Sequence, residues 1–471
     1  MTCPSHLPSG LTTRQTAADN VNFVKHIRCR IVDVFIMAPP SNGDSREESK
    51  ELAVGLPAAM PGPIAPTERI LDLDILRGMA LFGILAANMR GFSAPIDVYF
   101  DIGRWFHSAP DQWTQVFIDT FIQRKFVALF SFMFGMGFAV QLMRAQAKGA
   151  RFLSFYPRRI AALAFFGLLH GIVIWAGDIL LTYAITGTLL LFLRNRSQKF
   201  VLRWVGWTFG LPPLVATGFT LVTAFGLRKR DADNFDLPKI TRIVDVYARG
   251  SLAAILKQNW AEWVHELPSL GFSLFAISLF LLGLWVARAG ILEHLGDYKP
   301  AFKRICAVCL PLGLALNLAE ALIPIYFHSP RSLFIEWMNG VLSVYGGPVL
   351  AAGYAAGLAL LLQDATWRQR LTPFAAVGRT ALTNYLSQSV ICVIFFRLTH
   401  LYGVWGPAWD LLPTVVLFGI QILISNWWLE HYRFGPIEWL WRGLTYGSLP
   451  PLRNIGPGFQ PAAGLSPGAL E

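Results

Sequence analysis

Residues 126–143 read FVALFSFMFGMGFAVQLM, a run with no charged side chain, and the chain then turns basic at Arg144, Lys148, Arg151, Arg158 and Arg159. A helix of roughly 20 apolar residues is what it takes to cross the hydrocarbon core of a bilayer. The same alternation of apolar run and basic loop recurs along the sequence. It predicts further spans at 75–92, 160–176, 179–193, 201–225, 270–286, 305–327, 341–362, 374–396 and 411–429, about ten in all. Two of these, 160–176 and 179–193, are short and joined tightly at Gly177-Asp178, so a re-entrant hairpin is the alternative to two crossings.

Composition points the same way. Of the 471 residues 54% are hydrophobic and only 15% charged, where a soluble chain carries roughly 25% charged residues. Helices satisfy every backbone N–H and C=O within the segment, as lipid demands. A barrel would need short strands of alternating polarity, which are absent. The expected fold is therefore all-α, a polytopic transmembrane helical bundle. The 16 Trp and 12 Tyr suit its interfacial belts.

The net charge of +11 is not a nucleic-acid footprint, because the basic residues are dispersed in short clusters between spans. Besides the group at 144–159, Arg194, Arg196, Lys199 and Arg203 follow the fourth span. Arg288, Lys299, Lys303 and Arg304 follow the sixth, and Arg368 and Arg370 the eighth. Clusters on alternate loops orient the bundle with both termini cytoplasmic. The outer loops include 93–125 and the long segment 226–269, whose amphipathic stretch, 240–267, is expected to lie on the outer surface, and Gly346-Gly347-Pro348 is expected to break the eighth span locally.

Residues 1–66 are polar, rich in Pro and Ser, and lack the apolar core of a signal peptide. They read as a disordered extension, with Met37 and Met60 as alternative starts. Residues 67–449 form one transmembrane domain, and 450–471 a flexible tail. Cys306 and Cys309 have C-x-x-C spacing inside an apolar span, without a second ligand pair, so they read as buried thiols beside Cys3, Cys29 and Cys392. No phosphate-binding loop, dinucleotide fingerprint, H-E-x-x-H or G-x-S-x-G occurs. Neither a metal site nor a tightly bound cofactor is expected.

Ionisable side chains inside lipid are costly and mark candidate sites. They fall in two layers. The inner layer holds Asp74 and Arg77, three apart on one helix face, with Arg159 and Arg379 opening two other spans. Glu438 and Arg442 follow the last span. Arginine suits phosphate because its planar fork donates two hydrogen bonds at once; the alternative is that these arginines anchor topology. The outer layer holds Asn88, Lys125, His170, Asp178 and Glu320. A His near an Asp can act as a general base with its tautomer held; a hydrogen-bonded structural His is the alternative. His107, in a loop, is a second outer histidine.

Several motifs occur together in one order: Leu73-Asp74-Ile75-Leu76-Arg77-Gly78 with Asn88, Lys125-Phe126 with Leu129-Phe130-Ser131, and His170-Gly171 with Gly177-Asp178-Ile179-Leu180. Then come Gly378-Arg379-Thr380-Ala381-Leu382-Thr383-Asn384-Tyr385 with Gln388-Ser389, and Gly435-Pro436-Ile437-Glu438-Trp439-Leu440-Trp441-Arg442. Over about 69–449 this set resembles the YeiB-like family of bacterial inner-membrane proteins, a family of unknown function. Through Asp74-x-x-Arg77-Gly78 it is similar, more distantly, to membrane acyltransferases of the acyltransferase-3 and heparan-glucosaminide acetyltransferase group. That resemblance implies a cytoplasmic acyl-CoA donor substrate and an envelope carbohydrate or lipid acceptor. His107 and His170 are both candidates for the base. The roles that follow are catalytic for His170, Asp178, Asn88 and Lys125, the last two steadying an oxyanion. Substrate binding falls to Asp74, Arg77, Arg379, Asn384, Gln388, Glu438 and Arg442. A small-solute transporter and a non-enzymatic envelope protein are the alternative functions.

Overall fold

The helix that opens the bundle, α1 (Leu71–Ser93), carries Asp72, Asp74, Arg77 and Arg90, yet buries most of its length. A helix with so many charges needs protein rather than lipid around it, and α1 packs against α3, α12, α13 and α14. The computed structural model describes residues 70–100, 102–226, 236–266, 270–327 and 332–454. The helices after α1 are α2 (Ala109–Phe121), α3 (Lys125–Ala147), α4 (Tyr156–Leu169), α5 (Leu180–Leu193), α6 (Gln198–Ala224), α7 (Leu237–Arg249) and α8 (Leu252–Glu266). They continue with α9 (Leu270–Arg288), α10 (Lys299–Tyr326), α11 (Leu333–Leu361), α12 (Ala365–Arg379), α13 (Ala381–Leu398), α14 (Pro407–His431) and α15 (Pro436–Tyr446). Among the described residues there is no strand, only an isolated bridge between Tyr432 and Arg453. The expected extension 1–66 and most of the expected tail lie outside the described residues.

Among the described residues, seven helical segments are long and apolar enough to cross a membrane: Ala109–Ala147, Phe152–Ile174, Gln198–Ala224, Lys299–Tyr326, Leu333–Leu361, Ala381–Leu398 and Pro407–His431. Leu180–Leu193 and Ser273–Arg288 are shorter apolar helices. Large apolar side chains such as Phe192, Trp207 and Leu423 point outward, each more than two-thirds exposed. That is the surface of a multi-pass membrane protein, with lipid covering its perimeter.

Glycines set two of the closest helix approaches. A Cβ at Gly78 would lie 2.0 Å from the Phe374 carbonyl oxygen, and one at Gly378 1.9 Å from that of Asp74, so α1 and α12 touch backbone to backbone. Gly135 of α3 and Gly283 of α9 make the same reciprocal contact, against Phe280 O and Phe132 O at 2.0 Å each. Small residues allow helices to close in this way where dispersion and weak polar contacts must supply the attraction.

Four sequence expectations need correction. The outer segment before Lys125 is not a loop, since it contains α2, which turns into α3 through Arg124 at φ +67°. Gly346-Gly347-Pro348 does not break its span: α11 runs through it, and the space above the two glycines is taken by Asn317 and Arg124. The expected span 374–396 is instead broken between α12 and α13 at Thr380 (φ −108°, ψ 34°). The restart leaves N–H groups without helical partners, and Glu438 of α15 accepts from Leu382 N at 2.6 Å and Thr383 N at 3.0 Å. The amphipathic outer stretch is two helices, α7 and α8, parted at Gly250 and packed onto the bundle.

Candidate functional site

The N-terminal halves of α1, α4 and α15 and the C-terminal ends of α3 and α12 surround a cavity of about 290 Å³. Six arginines line it, Arg77, Arg144, Arg159, Arg379, Arg433 and Arg442, against two carboxylates, Asp74 and Glu438. Both acids are committed to the protein. Asp74 takes Arg77 Nη1 at 2.7 Å, an i,i+3 pair on α1. Glu438 takes the two backbone N–H groups that open α13, and the Thr383 hydroxyl at 2.5 Å. Burial pushes the Glu438 carboxyl up, and those hydrogen bonds pull it back down.

The arginines are held by packing as well as charge. Arg159 stacks 3.7 Å from the Trp441 ring centroid, while Trp441 Nε1 donates to Arg159 O at 2.9 Å. Arg442 lies over Phe434 at 4.4 Å. Arg379 keeps a buried Nε with no hydrogen-bond partner. Pre-positioned guanidinium groups of one sign make a receptor for a multiply charged anion, phosphate above all. Of the residues expected to bind substrate, Asp74, Arg77, Arg379, Glu438 and Arg442 meet here. Arg144 and Arg433 were not singled out by the sequence. Arg144 reads as one more positive loop residue, and nothing local marks Arg433.

Asn384 and Gln388 are not among the residues lining the cavity. Asn384 Nδ2 donates to Thr380 Oγ1 at 2.8 Å and Ser425 Oγ at 3.0 Å. Gln388 Nε2 donates to Gln421 Oε1 at 2.8 Å. These contacts sew α13 to α14 and leave both side chains turned toward the helix interface rather than a ligand.

On the far side, α4 ends in a wide turn of helix, His170–Ile174, with i→i+5 hydrogen bonding. Such turns displace one residue from the ordinary ladder and recur at functional sites. Here the turn delivers His170 to Asp178: Nδ1 and Oδ1 are 2.9 Å apart, and both side chains are fully buried. Asp178 Oδ2 accepts from Leu181 N at 2.8 Å, which ties the carboxylate to the start of α5. A carboxylate accepts from the ring N–H it faces, so in the neutral ring that donates from Nδ1 to Asp178 it is Nε2 that offers a lone pair. Nε2 is buried and makes no hydrogen bond. The ring lies between Trp175 and Tyr385, with centroids 6.2 and 5.2 Å away.

The other two expected catalytic residues are not at this pair. Lys125 is completely buried, and its Nζ donates to Asp119 O. It sits in a separate ionic cluster where Arg124 pairs with Glu320. Asn88 is half-buried on α1 and does not line the cavity. His107 is exposed and bonded to Gly103 O at 3.0 Å, an ordinary loop histidine. A buried pair unmarked in the sequence is Arg90 with Asp410, at 3.8 Å, joined by the Ser93 hydroxyl at 3.0 Å from Asp410. Cys392 is buried, whereas Cys306 and Cys309 are only half-buried on α10, contrary to expectation. Among the described residues no group of three or more His, Cys, Asp or Glu could hold a metal ion.

The two centres do not share one cavity, because neither His170 nor Asp178 lines it. Leu180 and Tyr183 of α5 do line it, on the same turn whose Leu181 N–H holds Asp178. One turn of α5 thus stands between the arginines and the histidine.

A family described as "Protein of unknown function (DUF418)" matches residues 286–448. The uncharacterized protein YxaH of Bacillus subtilis (strain 168) is 33% identical, over 83% of this chain and 97% of its own length. The chain belongs to this YeiB-like DUF418 family. The uncharacterized protein YeiB of Escherichia coli (strain K12) is 29% identical over 83% of this chain and 98% of its own. An uncharacterized 39.9 kDa protein from the amylase 3′ region of Bacillus acidopullulyticus is likewise 29% identical, over 82% and 96%. The DUF418 stretch supplies Arg379, Arg433, Glu438 and Arg442 to the cavity; α1, α3 and α4 supply the opposite wall from before it.

Proposed function

We propose that this membrane protein transfers an acyl group from acyl-CoA, held by its phosphates in the arginine cavity, to a hydroxyl or amine of an envelope carbohydrate or lipid. The bacterial inner membrane is where such a donor and acceptor meet. The observation that carries the reading is the set of six arginines around a cavity whose two carboxylates are already bound within the protein. Arg77 and Arg379 bind the donor phosphates, with Asp74 orienting Arg77. His170 Nε2 is the base and Asp178 holds its tautomer.

The acceptor oxygen attacks the thioester carbonyl carbon while Nε2 takes its proton. The C–S bond of the tetrahedral intermediate then breaks, and the departing thiolate recovers the proton from Nε2. The products are an ester, or an amide from an amine, and free CoA thiol. The donor's pantetheine arm must pass the α5 turn carrying Leu180 and Tyr183 to bring its thioester to His170.

The test is transfer from labelled acetyl-CoA by purified protein in proteoliposomes, with a membrane carbohydrate and lipid extract as acceptor. Arg379→Ala should weaken donor binding about tenfold or more, the scale of a lost charge-assisted hydrogen bond. His170→Ala should abolish transfer with donor binding retained. Equal transfer by wild type and His170→Ala would remove the base. Uptake of an organic anion with no covalent change would replace the enzyme with a carrier.

A further inference from the structure

Tyr385 is buried at 5% exposure on α13, and its hydroxyl oxygen faces the backbone N–H of Ile179 while its proton has no acceptor. Its ring centroid is 5.2 Å from that of His170, whose Nε2 is the other buried polar atom there without a partner. Orphaned buried donors and acceptors are rare, because each forfeits the hydrogen bond it had with water. Two on adjacent rings, one able to accept and one able to donate, are complementary to a molecule that brings both an acidic proton and a lone pair. A tyrosine serving only to fill space could be phenylalanine, as Phe396 is further along the same helix, also buried.

The tyrosine is also held in place. Ser389 Oγ donates to Tyr385 O at 3.4 Å, Asn384 beside it is fixed to Thr380 and Ser425, and Glu438 secures the start of α13. The motif that gives Arg379 to the cavity therefore gives Tyr385, six residues on, to the histidine. Within α13 itself, the four residues from Ala381 to Tyr385 rise about 6 Å along the axis.

We infer that Tyr385 is a further catalytic residue, whose hydroxyl donates a hydrogen bond to the acyl carbonyl oxygen as charge develops on it, opposite the base at His170. This rests on the acyl-transfer reading above. It assigns to Tyr385 the oxyanion role that the sequence suggested for Asn88 and Lys125. The proton on the phenol stays there throughout; only the hydrogen bond strengthens as the carbonyl becomes tetrahedral and weakens as the thiolate leaves.

The experiment is steady-state transfer from labelled acetyl-CoA by wild type, Tyr385→Phe and His170→Ala in proteoliposomes, with thermal midpoints of each variant recorded. Tyr385→Phe keeps the ring and loses only the hydroxyl. It should lower kcat about a hundredfold, the scale of one lost oxyanion donor, with donor KM within about twofold and the melting point of the wild type preserved. A Tyr385→Phe kcat near that of the wild type, while His170→Ala is inactive, overturns the role of Tyr385 and leaves the acyltransferase standing. Wild type and His170→Ala alike inactive overturns the acyl-transfer reading itself, and this role with it. Should Tyr385→Phe melt early, single-turnover transfer at a temperature where both proteins stay folded is the second measurement: a rate about a hundredfold below that of the wild type counts for the inference, and a rate near that of the wild type counts against it.

Discussion

Glu438 does two jobs with one carboxylate. It supplies half of the negative charge lining a cationic cavity, and it closes the N–H groups left open where α12 and α13 part. Glu438→Ala removes both oxygens and leaves the Leu382 and Thr383 N–H groups and the Thr383 hydroxyl without their acceptor. Loss of about 1–3 kcal/mol of stability is expected from the unmet groups, read as a lower thermal midpoint in detergent. Another carboxylate, Glu262 on α8, lies outside the membrane-spanning helices. Burial pushes it up, while its hydrogen bonds from Gln258 and the Tyr247 hydroxyl, both at 2.9 Å, pull it down. The net shift is upward, so the folded protein holds this proton at pH values where the unfolded chain has released it. Stability then falls as pH rises from the ordinary carboxylate range toward the raised value. Thermal midpoints measured from about pH 4 to pH 8 should show this slope in the wild type and lose it in Glu262→Gln.

At the scale of the helix, the glycine pairs are the most exacting feature. Gly78→Ala or Gly378→Ala drives a methyl group into a carbonyl oxygen about 2 Å away; the helices must move apart, at a cost of about 1–3 kcal/mol or more. Gly137 lines the cavity with nothing near its missing Cβ, so Gly137→Ala should melt like the wild type. Yields of folded protein by size-exclusion chromatography distinguish the two cases. The sequence made much of this level legible. Apart from 374–396, which the break at Thr380 divides, each of its apolar stretches falls on a helix, and the tight join at Gly177-Asp178 is a non-helical turn between the His170–Ile174 turn and α5. What it could not disclose depended on distant partners. The break at Thr380 is tolerable only because Glu438, 58 positions later, completes the restart, and α11 continues past Pro348 with Asn317 and Arg124 packed over its two glycines. Likewise Arg90 and Asp410 each look unaffordable in lipid until paired. For the site, Arg77, Arg379 and the His170–Asp178 pair stood out through charge in apolar surroundings. Tyr385 did not, since an aromatic residue in a span carries no such contrast.

Across the molecule, the basic loops predict an orientation that labelling can read. Asn195, in the loop after α5, is exposed, as is Lys257 on α8. With the native cysteines replaced by alanine, Lys257→Cys should react in intact cells with a membrane-impermeant maleimide, and Asn195→Cys only after permeabilisation. The reverse pattern would turn the bundle over and place the arginine cavity outside, away from any cytosolic thioester. The burial of α1 also bears on how the bundle is made. It carries four charges along its length, and of the neighbours that shelter it α12 to α14 leave the ribosome long after it does. During synthesis α1 has no stable place in the hydrocarbon, so it must wait at the headgroups or in the care of the insertion machinery until the last third of the chain arrives. A nascent chain truncated after α9 should therefore leave α1 open to proteases, and completion of α14 should be the event that seals it in.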